Sequence, residues 1–288
     1  MQAHVTPFFH APTSTWSYLV RDPASGEAAV IDPVLDFDAA SGEVSHASAK
    51  ALLAVAQRDG ALIRWILETH VHADHLSAAA WLKERTGAST AIGVGILQVQ
   101  ATFAQRLGLE DDAPAANGAD FDRLLHHGDE LPLGARTIRV IATPGHTAES
   151  LSYLVDDAVF VGDTLFSPAA GSARCDFPGG DAHALFESVW RLYGLPARRM
   201  FLAHDYPPAG QPPQAEVPIA VQRGTNSHIR EGIDEATFVA MRQQRDASLP
   251  VPRLLWPALQ VNIRGGRLPP PQANGQRYLK LPVRVRDD

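Results

Sequence analysis

From Thr69 to His75 the chain reads Thr-His-Val-His-Ala-Asp-His, five groups in seven positions able to ligate a metal or move a proton. Residues 63–68 before it form a short apolar run that reads as a buried strand, and a helical pattern follows. Open α/β sheets place their sites at the C-terminal ends of strands and on the loops beyond them. His70 and His72 are two apart, so on extended backbone both imidazoles point the same way. Asp74 and His75 fall on the turn into the next helix and approach the same centre from another side. Buried His and Asp need partners, so packing alone does not account for such a run. It reads as a metal site.

Three further groups repeat the device. His146 lies in Thr143-Pro144-Gly145-His146-Thr147 after a predicted strand at 137–141. Asp163 follows the apolar run 159–161, and His204 follows a strand at 199–202. Each sits where a strand ends, so all can converge on one edge of the fold. Ligand counting leaves the arrangement open. His70, His72, His146 and Asp163 could hold one zinc, with Asp74, His75 and His204 completing a second bridged by Asp163. Two such ions generate a hydroxide and clamp a hydrolytic transition state. His4, His10, His46, His126, His127, His183 and His228 lack companions at ligand spacing and read as structural or surface residues.

The elements that must position these groups can be read from periodicity. Strands are expected at 5–11, 16–21, 28–31, 63–68, 88–94, 124–127, 137–141, 151–155, 159–161 and 199–202. Helices are expected from Ala49 to near Gly60, at 76–85 with Gly87 as its stop, and at 97–107, 183–193 and 234–245. Strands in two sets with helices between them predict two sheets sandwiched by helices. The acidic stretch 109–120 reads as an exposed insertion and 207–218 as Pro-rich and irregular. Residues 1–250 are expected to form the catalytic domain. Residues 251–288 then form a C-terminal extension packing on it or trailing it, with 277–281 returning as an edge strand.

Composition narrows the class. The hydrophobic share of 45% suffices for a sizeable core. A formal charge of −7 and a pI near 5.9 argue against nucleic acid or an anionic membrane as partner. No apolar run approaches a membrane span, and Gly93-Val94-Gly95 lacks the third glycine of a nucleotide fingerprint. Cys175 is the single cysteine, so no intrachain disulfide forms. A cytoplasmic protein is expected, with a homodimer as the default assembly.

The motifs THVHADH, TPGHT, GDTLF and AHDY, in this order, resemble the metallo-beta-lactamase superfamily over roughly the first 205 residues. The resemblance implies an α/β fold, an αββα sandwich of two mixed β-sheets flanked by helices, with metal at its rim. Within the superfamily the chain most resembles the persulfide dioxygenases, the group containing the ethylmalonic encephalopathy protein. That closer likeness rests on Ala173-Arg174-Cys175-Asp176-Phe177, Gly179-Gly180 and Ala203-His204-Asp205-Tyr206. The family's Gly-Cys-Gly-Arg stands here as Gly171-Ser172-Ala173-Arg174, and Cys175 replaces its usual Thr.

The likeness implies one Fe(II) per chain on His70, His146 and Asp163, oxidising glutathione persulfide or a related small persulfide with O2 to sulfite and thiol. His72, Asp74, His75 and His204 then orient ligands and move protons, or form a vacant second metal site. Arg174, Cys175, Asp176 and Tyr206 are its expected substrate-binding residues. Arg174 either meets a substrate anion or is tied to Asp176, and Cys175 is either a persulfide acceptor or a small buried hydrophobe. The alternative is a dinuclear zinc thioester hydrolase of the glyoxalase II type.

Overall fold

A computed structural model describes residues 2–109, 113–208, 210–283 and 285. The chain opens with strands β1 (His4–His10), β2 (Thr15–Arg21), β3 (Glu27–Ile31), β4 (Val34–Asp38) and β5 (Glu43–Ser45), then helix α1 (Ala47–Arg58). Strand β6 (Leu62–Leu67) delivers the histidine-rich loop. It is followed by β7 (Leu76–Ser77), α2 (Ala79–Thr86), β8 (Ser89–Gly93), α3 (Ile96–Arg106) and β9 (Arg123–Leu125). The second half runs β10 (Glu130–Leu133), β11 (Arg136–Ala142), β12 (Leu151–Val155), β13 (Ala158–Phe160), α4 (Ala182–Tyr193), β14 (Arg199–Phe201) and β15 (Glu216–Pro218). Helices α5 (Ile219–Thr225), α6 (Glu235–Asp246) and α7 (Leu255–Asn262) complete it.

Two six-stranded sheets form, ordered β1-β2-β3-β6-β8-β9 and β10-β11-β12-β13-β14-β15, beside a small β5-β4-β7 sheet. Both large sheets are mixed. The first is antiparallel through β3 and parallel from β3 to β9; in the second only β13 and β14 pair in parallel. Side-chain alternation explains the layering. Trp16, Tyr18 and Val20 of β2 point between the sheets onto Tyr153, Phe160 and Phe201, while Leu19 joins Leu52 and Leu82 under α1 and α2. On the opposite outer face Leu154, Val159 and Met200 pack against Leu185 and Val189 of α4 and Phe238 of α6. This is the αββα sandwich. Asp181 and Asp234 fix where α4 and α6 begin, Asp181 accepting from the N–H groups of His183 and Ala184 and Asp234 from that of Thr237.

Several expectations need correction. Leu76 and Ser77 start not a helix but β7, because they pair with Val34 and Leu35. The segment 277–281 forms no strand; its backbone is satisfied by a side chain, Gln260, which bonds both the N–H and the carbonyl of Lys280. Of the exposed insertion expected at 109–120, residues 110–112 lie outside the described residues. Leu109 is buried, and Asp120 is held by Gln100 and Arg267. Helix α7 arises within the Pro-rich tail: Pro257 sits in its first turn, where a missing N–H costs nothing.

Candidate metal centre

Side chains that follow separate strands come together at one place. Nε2 of His70 and Nε2 of His146 lie 3.9 and 3.7 Å from Oδ2 of Asp163. One ligand atom from each of the three lies within 4.8 Å of the others. Ligand atoms sharing one ion at about 2.1 Å stand roughly 3.0–3.4 Å apart. The gap is therefore slightly wider than a metal requires and too wide for hydrogen bonds between the groups.

The partners of the other ring nitrogens set the tautomers. His146 Nδ1 donates to the Arg174 carbonyl at 2.7 Å. Thr69 Oγ1 donates to Asp32 at 2.9 Å, so at 3.0 Å it accepts from His70 Nδ1. Both Nε2 atoms are thereby left with a lone pair aimed at Asp163. His70 Nε2 is buried and without a hydrogen bond, as a ligand nitrogen should be. Burial, then the neighbouring His72, holds the His70 pKa well below its ordinary value. These residues fit a metal ion.

Two glycines make the approach possible. Gly162, at φ +53°, brings Asp163 beside Thr69; a Cβ there would meet Thr69 Oγ1 at 2.7 Å. Gly145, at φ +141°, lets the His146 loop lie on α4, where a Cβ would come within 2.4 Å of the Leu185 backbone.

The remaining four predicted groups gather beside this triad. His204 Nε2 is 3.2 Å from Asp163 Oδ1 and 3.4 Å from Asp74 Oδ2, and His75 Nδ1 is 3.3 Å from the same Asp74 oxygen. Burial alone would lower the His204 pKa, yet Asp163 and Asp74 push it up to about 9. The imidazole charges in turn overcome burial and hold both carboxyls below the usual range, led by His204 in each case. His72 is drawn the other way. Its Nε2 lies 3.0 Å from Asp32 and 3.5 Å from Glu68, both buried. Against the effect of burial, Asp32 and Glu68 raise its pKa well above the ordinary value. His72, Asp74 and His75 nevertheless keep ligand atoms within 4.8 Å of one another.

A cleft of about 810 Å³ opens over Asp74, His146, Asp163 and His204. Arg174, Phe177 and Tyr206 line it, with Arg245 and Arg253. Tyr206 is 59% exposed and stacks on His204, ring centroids 6.1 Å apart. Arg174 is already engaged, bidentate to Asp176 at 2.6 Å on both arms and donating to the Pro250 carbonyl. Its place in the cleft wall is therefore fixed by Asp176, which like Cys175 does not line the cleft. Burial, then Asp246, pushes the Cys175 thiol up to about 12, which disfavours the thiolate.

Sequence reasoning missed several supporting residues. Asp32 accepts from both N–H and Oγ1 of Thr69, at 2.7 and 2.9 Å. It follows the apolar strand β3 just as Asp163 follows β13, so the same signal marks it. Glu149 accepts from the Val71 N–H at 3.1 Å, inside the histidine loop. Asn262 donates to the carbonyls of His72 and His75 and accepts from Ser77 N–H, each at 2.8 Å. Nothing in the local sequence marks Asn262, because its role depends on where α7 docks.

The family description of the metallo-beta-lactamase superfamily matches residues 10–204. The chain is 50% identical to a protein of Burkholderia pseudomallei named "probable metallo-hydrolase", over 97% of this chain and 98% of that one. It is 40% identical to Glyoxylase B2 of Dictyostelium discoideum, over 98% and 97% of the two chains. Among solved structures, ETHE1 from Myxococcus xanthus is similar at a TM-score of 0.72 and 30% identity, covering 92% of this chain and all of the other.

Proposed function

This chain belongs to the metallo-beta-lactamase superfamily, and within it we propose a persulfide dioxygenase that works with one Fe(II) on His70, His146 and Asp163. The observation that carries this reading is the ring of two imidazole nitrogens and one carboxylate oxygen converging below the cleft. His70, His146 and Asp163 would hold the ion, and Fe(II) would supply the redox chemistry that joins dioxygen to a persulfide sulfur. The likeness to ETHE1, along the whole of that chain, supports the same reading.

The protein's own groups divide the remaining work. The carbonyl of Arg174 and the hydroxyl of Thr69 hold the two imidazoles in the ligating tautomer. His204, between Asp163 and Asp74, is placed to hold or pass a proton at the cleft floor. Arg245 and Arg253 supply positive charge in the cleft lining, suited to the carboxylates of a glutathione carrier. No helix among the described residues is long and apolar enough to cross a membrane. A cytoplasmic homodimer acting on glutathione persulfide is the setting proposed.

A second reading rests on a specific observation. The ligand atoms of His72, Asp74 and His75 also lie within 4.8 Å of one another, which suits a second ion and a dinuclear zinc thioester hydrolase. Product analysis separates the two. With glutathione persulfide and air, the dioxygenase yields sulfite and glutathione. Cleavage of a glutathione thioester with no sulfite from the persulfide would overturn the proposal.

A further inference from the structure

A line of hydroxyls runs from Asp74 along the wall of the cleft to His10. Thr15 Oγ1 lies 3.4 Å from Asp74 Oδ2 and 3.4 Å from His204 Nδ1. It is 2.8 Å from Thr13 Oγ1, which is 2.7 Å from His10 Nδ1. The other ring nitrogen of His10 lies 3.5 Å from Asp36 Oδ1, and the Asp36 side chain is 23% exposed. Thr13 lines the cleft, whereas His10 lines a separate recess of about 160 Å³ bordered by Ser17, Ser48 and Leu52. The line therefore passes from one solvent space to the other around the end of β1.

We propose that Thr15, Thr13 and His10 form a proton relay joining Asp74 at the cleft to the recess beside Asp36. Each hydroxyl can accept a hydrogen bond on one side while donating on the other, and neutral imidazole accepts at one nitrogen while donating at the other. Proton movement along the line thus needs reorientation of the hydroxyls and, at His10, an exchange of the ring tautomer, which is restored before the next transfer. The relay rests on the proposed function for its use. The balanced reaction of a persulfide anion, RSS⁻ + O2 + H2O → RSH + SO3²⁻ + H⁺, forms S–O bonds, breaks the S–S bond and releases a proton. Sulfur is oxidised and dioxygen reduced. While the thiol carrier fills the cleft, that proton needs another way out, and the line past Thr15 supplies it.

The test uses the full chain loaded with iron, glutathione persulfide as substrate and oxygen uptake as readout. Thr13→Val keeps the shape and breaks the line; His10→Gln removes its outer base. Each should lower kcat about tenfold, a modest share of what general acid–base groups contribute, with KM and iron content unchanged. The solvent deuterium isotope effect should rise, added imidazole should restore turnover, and Thr13→Ser should recover most of the loss. Independently of turnover, the His10 ring proton should exchange with solvent faster in Thr13→Val than in the parent, as seen by NMR. A Thr13→Val protein with the parental rate, a loss that neither imidazole nor serine restores, or unchanged proton exchange would each overturn the relay. If the parent cleaves a thioester and takes up no oxygen, the proposed function fails by itself. The relay is then tested on the thioester, whose hydrolysis also releases a proton.

Discussion

His204 and Asp163 meet at 3.2 Å, Nε2 to Oδ1, while Asp163 turns its other oxygen toward His70 and His146. On the proposed one-iron reading that carboxylate lies between the iron and the His204 imidazole, whereas on the dinuclear reading it would lie between two ions. His204→Ala should leave iron content near parental and slow turnover by roughly 10- to 100-fold, as for other groups that orient a ligand without binding the metal. Metal analysis beside oxygen uptake checks this. Loss of half the bound metal would make His204 a ligand of a second ion.

Asp163→Ala removes the one carboxylate of the triad and should abolish both iron binding and oxygen uptake. Metal affinity is readable by chelator competition without any turnover. A variant that keeps full oxygen consumption would remove Asp163 from the metal.

Asn262 braces the histidine loop from α7, with three hydrogen bonds of 2.8 Å and 5% exposure. Asn262→Leu leaves the carbonyls of His72 and His75 and the N–H of Ser77 without that partner. The expected cost is about 3 kcal/mol of stability, at about 1–3 kcal/mol per unsatisfied buried group with partial relaxation. Urea unfolding measures it. A variant as stable as the parent would show that the loop holds its shape unaided.

His228 ties the Arg174 loop to α6. Its Nδ1 accepts from the Ser172 N–H at 2.9 Å, and burial, then Arg242 and Arg245, lower its pKa from 6.5 to about 4. Below pH 6.5 the unfolded chain takes up a proton that the folded chain refuses. This contribution is therefore fully present above 6.5 and lost as pH falls toward 4. The urea midpoint should decline over that window, and His228→Asn, whose amide oxygen can still accept, should flatten the decline. Parallel curves for the two proteins would exclude His228 as the cause.

Much of this was legible in the chain because the site repeats one local device. His70, His146, Asp163 and His204 each follow an apolar strand, and strand ends in a two-layer sandwich share an edge. Two sheets were likewise readable from two sets of strands with helices between them, and their mixed character from the family resemblance. What stayed hidden depends on long-range docking. Leu76 became a strand residue only by meeting Leu35. Asn262 reaches His72 across 190 positions. His10 read as a structural or surface histidine because Thr13 and Thr15 connect it to Asp74 only once β1 and β2 turn back on each other. Arg174 carried two readings that its sequence could not separate, and its bidentate pairing with Asp176 decides what its guanidinium does in the free protein.

The central claim is one iron and oxygen chemistry on His70, His146 and Asp163. The direct measurement is metal content of anaerobically purified protein together with oxygen uptake on adding glutathione persulfide. About one iron per chain, with oxygen consumed in step with sulfite formed, is the predicted result. Two tightly held zinc ions per chain, with thioester hydrolysis and no oxygen uptake, would contradict it.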